Sequence, residues 1–272
     1  MERQTGLEGI VFVSRKNVSI VQTPSFLFGE AGKRIYQEYL RMGESYGENP
    51  HFKLEQNGEE IVGANFPDAN LINQVVRPFG ARVILPSDID EELLQMIDNK
   101  HYLTANALVL RSLQDKYNPA NNSLAGQLVE IADVDSSRIA KEPAMITGFD
   151  IQPDAANKEY GFRLVATKDL AVVHDSRFLG KYNRWKFTTT DKLGLPEHLD
   201  RKKGERTWYT RETDDGVAVF DVNGYRYADS GDDELSVSSA VGRVVLVFAG
   251  GDALDISKVI EDQKIRELST RL

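Results

Sequence analysis

The run His174-Asp175-Ser176-Arg177 puts an imidazole, a carboxylate, a hydroxyl and a guanidinium in consecutive positions. Such groups suit acid–base chemistry on an anionic substrate. His174 or Asp175 would move the proton, and an arginine would hold the negative charge. The run closes an apolar stretch, LAVVHD at 170–175, that reads as a strand. Strand ends and the loops that follow them often carry functional side chains. Adjacent strand residues point to opposite faces, however, so these four cannot form a triad among themselves. A histidine at a strand end is also an ordinary structural hydrogen-bonding residue. None of the four histidines (His51, His101, His174, His198) has the spacing of a zinc motif.

The same run opens a basic island from Arg177 to Arg211. It holds ten Lys and Arg against four acids, a local charge of +6 in a chain whose net charge is −9. Both tryptophans, Trp185 and Trp208, lie in it, with Phe178, Tyr182, Phe187 and Tyr209. Cations interleaved with aromatics are what a single-stranded nucleic acid or another anionic partner requires, and the binding candidates are Arg177, Trp185, Arg206, Trp208 and Arg211. Simple strand alternation yields the same pattern: in Arg184-Trp185-Lys186-Phe187 the aromatics would face a core and the cations water. A second bland account lies next door. Residues 212–234 hold eight acids and one arginine, a charge of −7 that would neutralise the island within the fold.

Other resemblances to functional motifs fail on spacing. Asp229-Ser230-Gly231-Asp232-Asp233-Glu234 lacks the ligand periodicity of a calcium loop. Gly29-Glu30-Ala31-Gly32-Lys33-Arg34 lacks the spacing and the hydroxyl residue of a phosphate loop, and Gly250-Gly251-Asp252 belongs to no dinucleotide fingerprint. No motif names a cofactor or a metal.

These groups must be positioned by a chain of 272 residues with 41% hydrophobic and 28% charged residues, ordinary values for a globular protein with a sizeable core. The chain has no cysteine, which excludes disulfides, thiolate metal sites and a cysteine nucleophile. The opening MERQTGLEGIVFVSRKN lacks the features of a signal peptide, and no apolar run approaches the roughly 20 residues of a membrane helix. A cytoplasmic, soluble protein without a membrane partner is expected. With a pI near 5.1, general nucleic-acid binding is not expected.

Hydrophobic periodicity predicts an opening hairpin (9–14 with 18–22), a helix over 31–42 with Ile35, Tyr36, Tyr39 and Leu40 on one stripe, and a hairpin about Asn57-Gly58. Asp68 is expected to cap a short helix that Pro78 ends, and Ser87 or Asp88 to cap another carrying Ile89, Leu93, Leu94 and Ile97. After a strand at 106–113, Asn118-Pro119 leads into a helix with Leu124 and Leu128. The polar stretch DVDSSRIAKEP (133–143) is the expected junction between a mixed half, 1–138, and a predominantly β half, 139–272, with a shared core left open. The second half reads as an antiparallel strand series, with hairpin turns at Lys168-Asp169 and Asn223-Gly224 and a closing helix over 255–268. The fold class is α+β.

Two functional readings follow. The first is a binding or interaction protein that offers the segment 177–211 to an anionic ligand or acidic partner. The second is a hydrolase or transferase in which His174 or Asp175 is the acid or base and Arg177, Arg206 or Arg211 clamps an anionic substrate.

Overall fold

The apolar run near 106–113 becomes the central strand of the molecule. The structure is a computed structural model and describes residues 4–5, 11–15, 18–22, 27–89, 93, 101–111, 122–210, 216–223, 227–229, 235–236 and 238–249. Its first elements are strands β1 (Gln4–Thr5), β2 (Val11–Arg15), β3 (Val18–Gln22) and β4 (Leu27–Phe28), then helix α1 (Gly29–Gly43). Strands β5 (Glu55–Asn57) and β6 (Glu60–Val62), helix α2 (Phe66–Val76), β7 (Ala81–Val83), β8 (Tyr102–Arg111) and helix α3 (Asn122–Ile131) follow. The remaining strands are β9 (Ala144–Pro153), β10 (Phe162–His174), β11 (Trp185–Phe187), β12 (Arg206–Tyr209), β13 (Gly216–Asn223), β14 (Tyr227–Asp229), β15 (Gly242–Arg243) and β16 (Leu246–Ala249).

The fold is α+β. Its largest sheet has eight strands in the order β10-β9-β8-β13-β14-β12-β11, with β15 added beside β8. All its pairings are antiparallel except β12 with β14 and β15 with β8. A five-stranded sheet runs β1-β2-β3-β16-β7, and a three-stranded one β4-β6-β5. Nine of the ten residues of β8 are buried, which is why that stretch reads as a continuous apolar run rather than an alternation. Sheet order interleaves the chain on either side of residue 138. β8 lies between β9 and β13, and β16 between β3 and β7, so one hydrophobic core runs through both halves. The 133–143 stretch is a mostly exposed turn between α3 and β9, anchored by buried Val134 and Ile139.

Local readings translate unevenly. In α1, Ile35 and Tyr39 are buried, but Leu40 is 43% exposed and leaves the stripe. The β5–β6 hairpin pairs Asn57 with Glu60, so its loop is Gly58-Glu59, with Gly58 at φ 64. Asp68 does not cap α2: Asn65 does, accepting the Asp68 N–H at 2.8 Å, and Asp68 lies one turn in. Asn65 is extended and a proline follows in the first turn, the usual start of a helix. Of the helix expected after Asp88, only Ile89 and Leu93 are among the described residues, and both are buried. The closing helix over 255–268 lies outside them.

The hairpin turn expected at Lys168-Asp169 does not form. β10 is one thirteen-residue strand paired along its length with β9, and its register slips between Ala166 and Ala171. Four residues, 167–170, therefore face the single Gly148, whose φ of 75 and missing side chain make room for them. Thr167 Oγ1 fixes the bulge by donating to the Gly148 carbonyl at 2.7 Å. The strands on either side of the Asn223-Gly224 signal pair antiparallel, with Asn223 opposite Tyr227, and residues 224–226 lie outside the described residues.

Candidate functional site

β10 delivers His174 and Asp175 to the start of the basic island. Asp175 caps a short 3-10 turn over 176–178, accepting the Arg177 N–H at 2.8 Å. The same carboxylate receives Arg177 Nε at 2.9 Å and Nη2 at 2.5 Å. Arg177 Nη1 reaches Asp191 Oδ2 and the Pro196 carbonyl, each at 2.7 Å. The guanidinium is therefore spent joining the end of β10 to the 190–196 loop, and it is a staple rather than an anion clamp. Burial pushes the Asp175 carboxyl up, but the Arg177 guanidinium and N–H more than offset this and hold it below the usual carboxylate range. Such a carboxylate suits an ion pair and not a general acid. His174 faces elsewhere, with Nδ1 3.0 Å from the Glu142 carbonyl.

This staple makes a prediction. Asp175→Asn should lower stability by about 1–3 kcal/mol, the range for a hydrogen bond to a charged group. Because the folded pKa is depressed, the contribution is present above the unfolded value near 3.8 and is lost as pH falls through the folded one. Urea unfolding of wild type and variant at neutral pH measures it. An unchanged midpoint would mean that Asp191 holds Arg177 unaided.

The two tryptophans differ. β11 and β12 are antiparallel with Trp185 directly opposite Trp208, so both project from one face of the sheet. Trp208 is fully buried, with Phe178 and Phe220 at ring-centroid distances of 5.7 and 5.9 Å, and donates Nε1–H to the Arg177 carbonyl at 2.8 Å. It belongs to the core and is no stacking platform. Phe187 is buried on the same face, and Lys186 on the other donates to Thr207 Oγ1 at 2.7 Å, as simple alternation requires. Arg206 is half-buried opposite Phe187. Arg211 lies outside the described residues.

Trp185 stays half-buried, and a cluster assembles on it. Tyr182 meets it in a T-shaped contact at 5.1 Å, the Arg201 guanidinium lies 5.3 Å from its ring centroid, and Lys181 Nζ lies 4.9 Å from that of Tyr182. Each cation–π contact at an exposed position is worth about 0.5–1 kcal/mol. Arg201 is brought there by the chain's return along β11: Lys186 N–H donates to the Asp200 carbonyl at 2.6 Å and Asp200 N–H to the Lys186 carbonyl at 2.8 Å. Asp200 Oδ1 then accepts the N–H groups of Lys202 (2.7 Å) and Lys203 (2.8 Å), which hold its carboxyl below the usual range. Gly204, at φ 143, lies so close to β11 that a Cβ would be 2.5 Å from Phe187 N. The turn is thus pinned at both ends and displays Arg201, Lys202 and Lys203 to solvent, near exposed Lys181 and Arg184.

The structure therefore buries Trp208 in the core and leaves Trp185 half-buried, with Arg206 on the same face of the sheet. It groups Lys181, Tyr182, Trp185 and Arg201–Lys203 through contacts that sequence adjacency does not reveal. Of the acids expected to neutralise this group, Asp221 and Asp229 lie opposite each other in β13 and β14. Glu212, Asp214, Asp215 and Asp232–Glu234 lie outside the described residues. Among the described residues no group of three or more His, Asp or Glu could hold a metal, and no helix is long and apolar enough to cross a membrane.

The core also holds a polar cluster that no motif announces. Helix α2 buries Asp68, Asn70 and Asn73. Asn70 joins Asn106, the Phe149 carbonyl and the Ile151 N–H, and Asn73 accepts the Val83 N–H at 2.9 Å. Its one signal in the sequence is three short polar side chains, with Gln74 beside them, among the apolar residues of PDANLINQVV. Their partners are mostly backbone groups, so the cluster fixes α2 against the strands and loops around it. Comparison with known proteins returns no similar family model, curated protein or solved structure.

Proposed function

We propose that this protein is a binding module that engages an anionic partner through the basic surface around Trp185. The observation that carries the reading is the pinned Asp200–Gly204 turn, which presents three consecutive cations beside two more. Holding a loop in its presenting conformation lowers the ordering cost of association. Within the patch, Lys181, Arg184, Arg201, Lys202 and Lys203 outweigh Asp200 and Glu205 by three charges, in a chain that carries −9 overall. The hydrolase or transferase reading with His174 and Asp175 as acid and base draws no comparable support, since Asp175 and Arg177 neutralise each other.

The test is retention on an immobilised polyanion such as heparin. Wild type should bind at low ionic strength and elute with salt, because counterion release makes such binding salt-dependent. Lys202→Glu with Lys203→Glu should elute earlier while melting at the wild-type temperature, as both side chains are exposed. A wild-type protein that passes straight through would remove the reading.

A further inference from the structure

We infer that the partner of this surface is an acidic polypeptide segment rather than a nucleic acid; the inference rests on the binding reading above. Single-stranded nucleic acids are held by open aromatic platforms as well as by charge, each stacked base contributing about 1–3 kcal/mol. The aromatics in and beneath the patch are already engaged. Trp208, Phe178 and Phe187 are buried in the core. Trp185 is engaged by the Arg201 guanidinium and by Tyr182, and the Tyr182 ring carries Lys181. A base seeking Trp185 would have to displace contacts already made. What the patch exposes most fully is charge: Lys181, Arg184, Arg201, Lys202 and Lys203 are exposed, whereas Tyr182 and Trp185 are half-buried.

The distribution of that charge favours a short ligand. With the patch set aside at +3, the rest of the chain carries −12. A long, uniformly charged nucleic acid that overran the patch would meet repulsion, whereas a brief run of Asp and Glu on a partner protein need not leave it. Carboxylates suit the donors present: Lys202 and Lys203 ammoniums, and an Arg201 guanidinium whose in-plane N–H groups are not consumed by lying over an indole.

The experiment compares, by fluorescence anisotropy, a labelled poly-glutamate peptide and a labelled oligo-deoxythymidylate of matched charge, over a salt series. Poly-glutamate should bind the more tightly. Lys202→Glu with Lys203→Glu should weaken it about tenfold or more, as expected for loss of charge complementarity. Arg201→Gln should weaken it less, and Trp185→Phe should change it by less than about twofold, because the indole supplies position and not contact. An oligonucleotide that binds more tightly and quenches Trp185 would overturn the inference while leaving the binding reading intact. So would poly-glutamate binding that the double charge reversal does not touch, or heparin retention with neither probe bound. Failure of both probes together with failure to bind heparin would remove the binding reading itself.

Discussion

Gly148→Ala is expected to destabilise the protein by more than about 3 kcal/mol, and Gly148→Val to leave little folded protein. Gly148 sits inside the ten-residue strand β9 with φ 75, where a side chain already costs about 1–2 kcal/mol. The greater cost is steric. A Cβ would stand 2.0 Å from the Asp169 carbonyl oxygen, 2.3 Å from its carbon and 2.6 Å from the Leu170 nitrogen, all backbone atoms of the β10 bulge. No rotamer change relieves such an overlap, so either β9 or the bulge must move. Both are tied into the ladder that runs from Phe162–Pro153 to His174–Ala144. Against a typical total stability of about 5–15 kcal/mol this is a large fraction. Gly58→Ala is the matched control, with a similar φ of 64 but nothing within 4 Å of the added carbon. Urea unfolding of the two variants separates conformational strain from collision. Equal losses would mean that the bulge yields freely and that the collision is not decisive.

That bulge also explains why the expected turn is absent. A polar pair such as Lys168-Asp169 between two apolar runs announces an interruption, but turn and bulge use the same residues. Which of them forms is decided by the partner strand, where Gly148 can accept four residues opposite one. Such information is non-local by nature. The hairpin at Asn57-Gly58 is legible because a turn residue itself imposes the backbone, Gly58 at φ 64, and the Asn223-Gly224 signal falls between two strands that pair antiparallel. Helices α1 and α3 are legible from their apolar spacing, and α2 from its breaker, Pro78, while its cap is Asn65 and not the expected Asp68. Asn65 followed by a proline was the better signal.

The candidate site divides in the same way. Alternation placed Trp185 and Phe187 on one face and Lys186 on the other. It did not tell which tryptophan would be covered. That depends on position in the sheet: Trp208 lies on β12, flanked by β11 and β14, and Trp185 on β11, the last strand of the path. The Arg177–Asp191 and Arg201–Trp185 contacts join residues well apart in the chain. A charge count over a segment records the ions but not their pairing. It could not separate the cations spent on structure, such as Arg177 and Lys186, from those left to solvent.

Stability should fall as pH rises from about 4 to 7, opposite to the trend of a surface ion pair, and Asp68 is the cause. Its side chain is fully buried where α1, α2 and the strand-entry loop meet. Tyr39 of α1 donates its O–H to Oδ1 at 2.6 Å, and Lys53 N–H lies 2.9 and 3.2 Å from the two oxygens. Burial pushes the carboxyl up to about 7, even though Tyr39 and the N–H groups of Lys53 and Leu54 pull it down. The folded protein thus binds the proton more tightly than the unfolded chain, whose value is near 3.8. The stabilisation is complete below the unfolded pKa and is lost as pH rises through the folded one. At about 1.4 kcal/mol per unit, the difference approaches roughly 4 kcal/mol by neutral pH. Asp68→Asn keeps the shape without the charge, so its urea midpoint should change much less than that of wild type between mildly acidic and neutral pH. Tyr39→Phe should steepen the wild-type loss, because it removes a hydrogen bond that favours the ionised form. A wild-type protein equally stable across this window, or an Asp68→Asn variant with the wild-type slope, would show that the carboxylate stays ionised and that its hydrogen bonds outweigh burial.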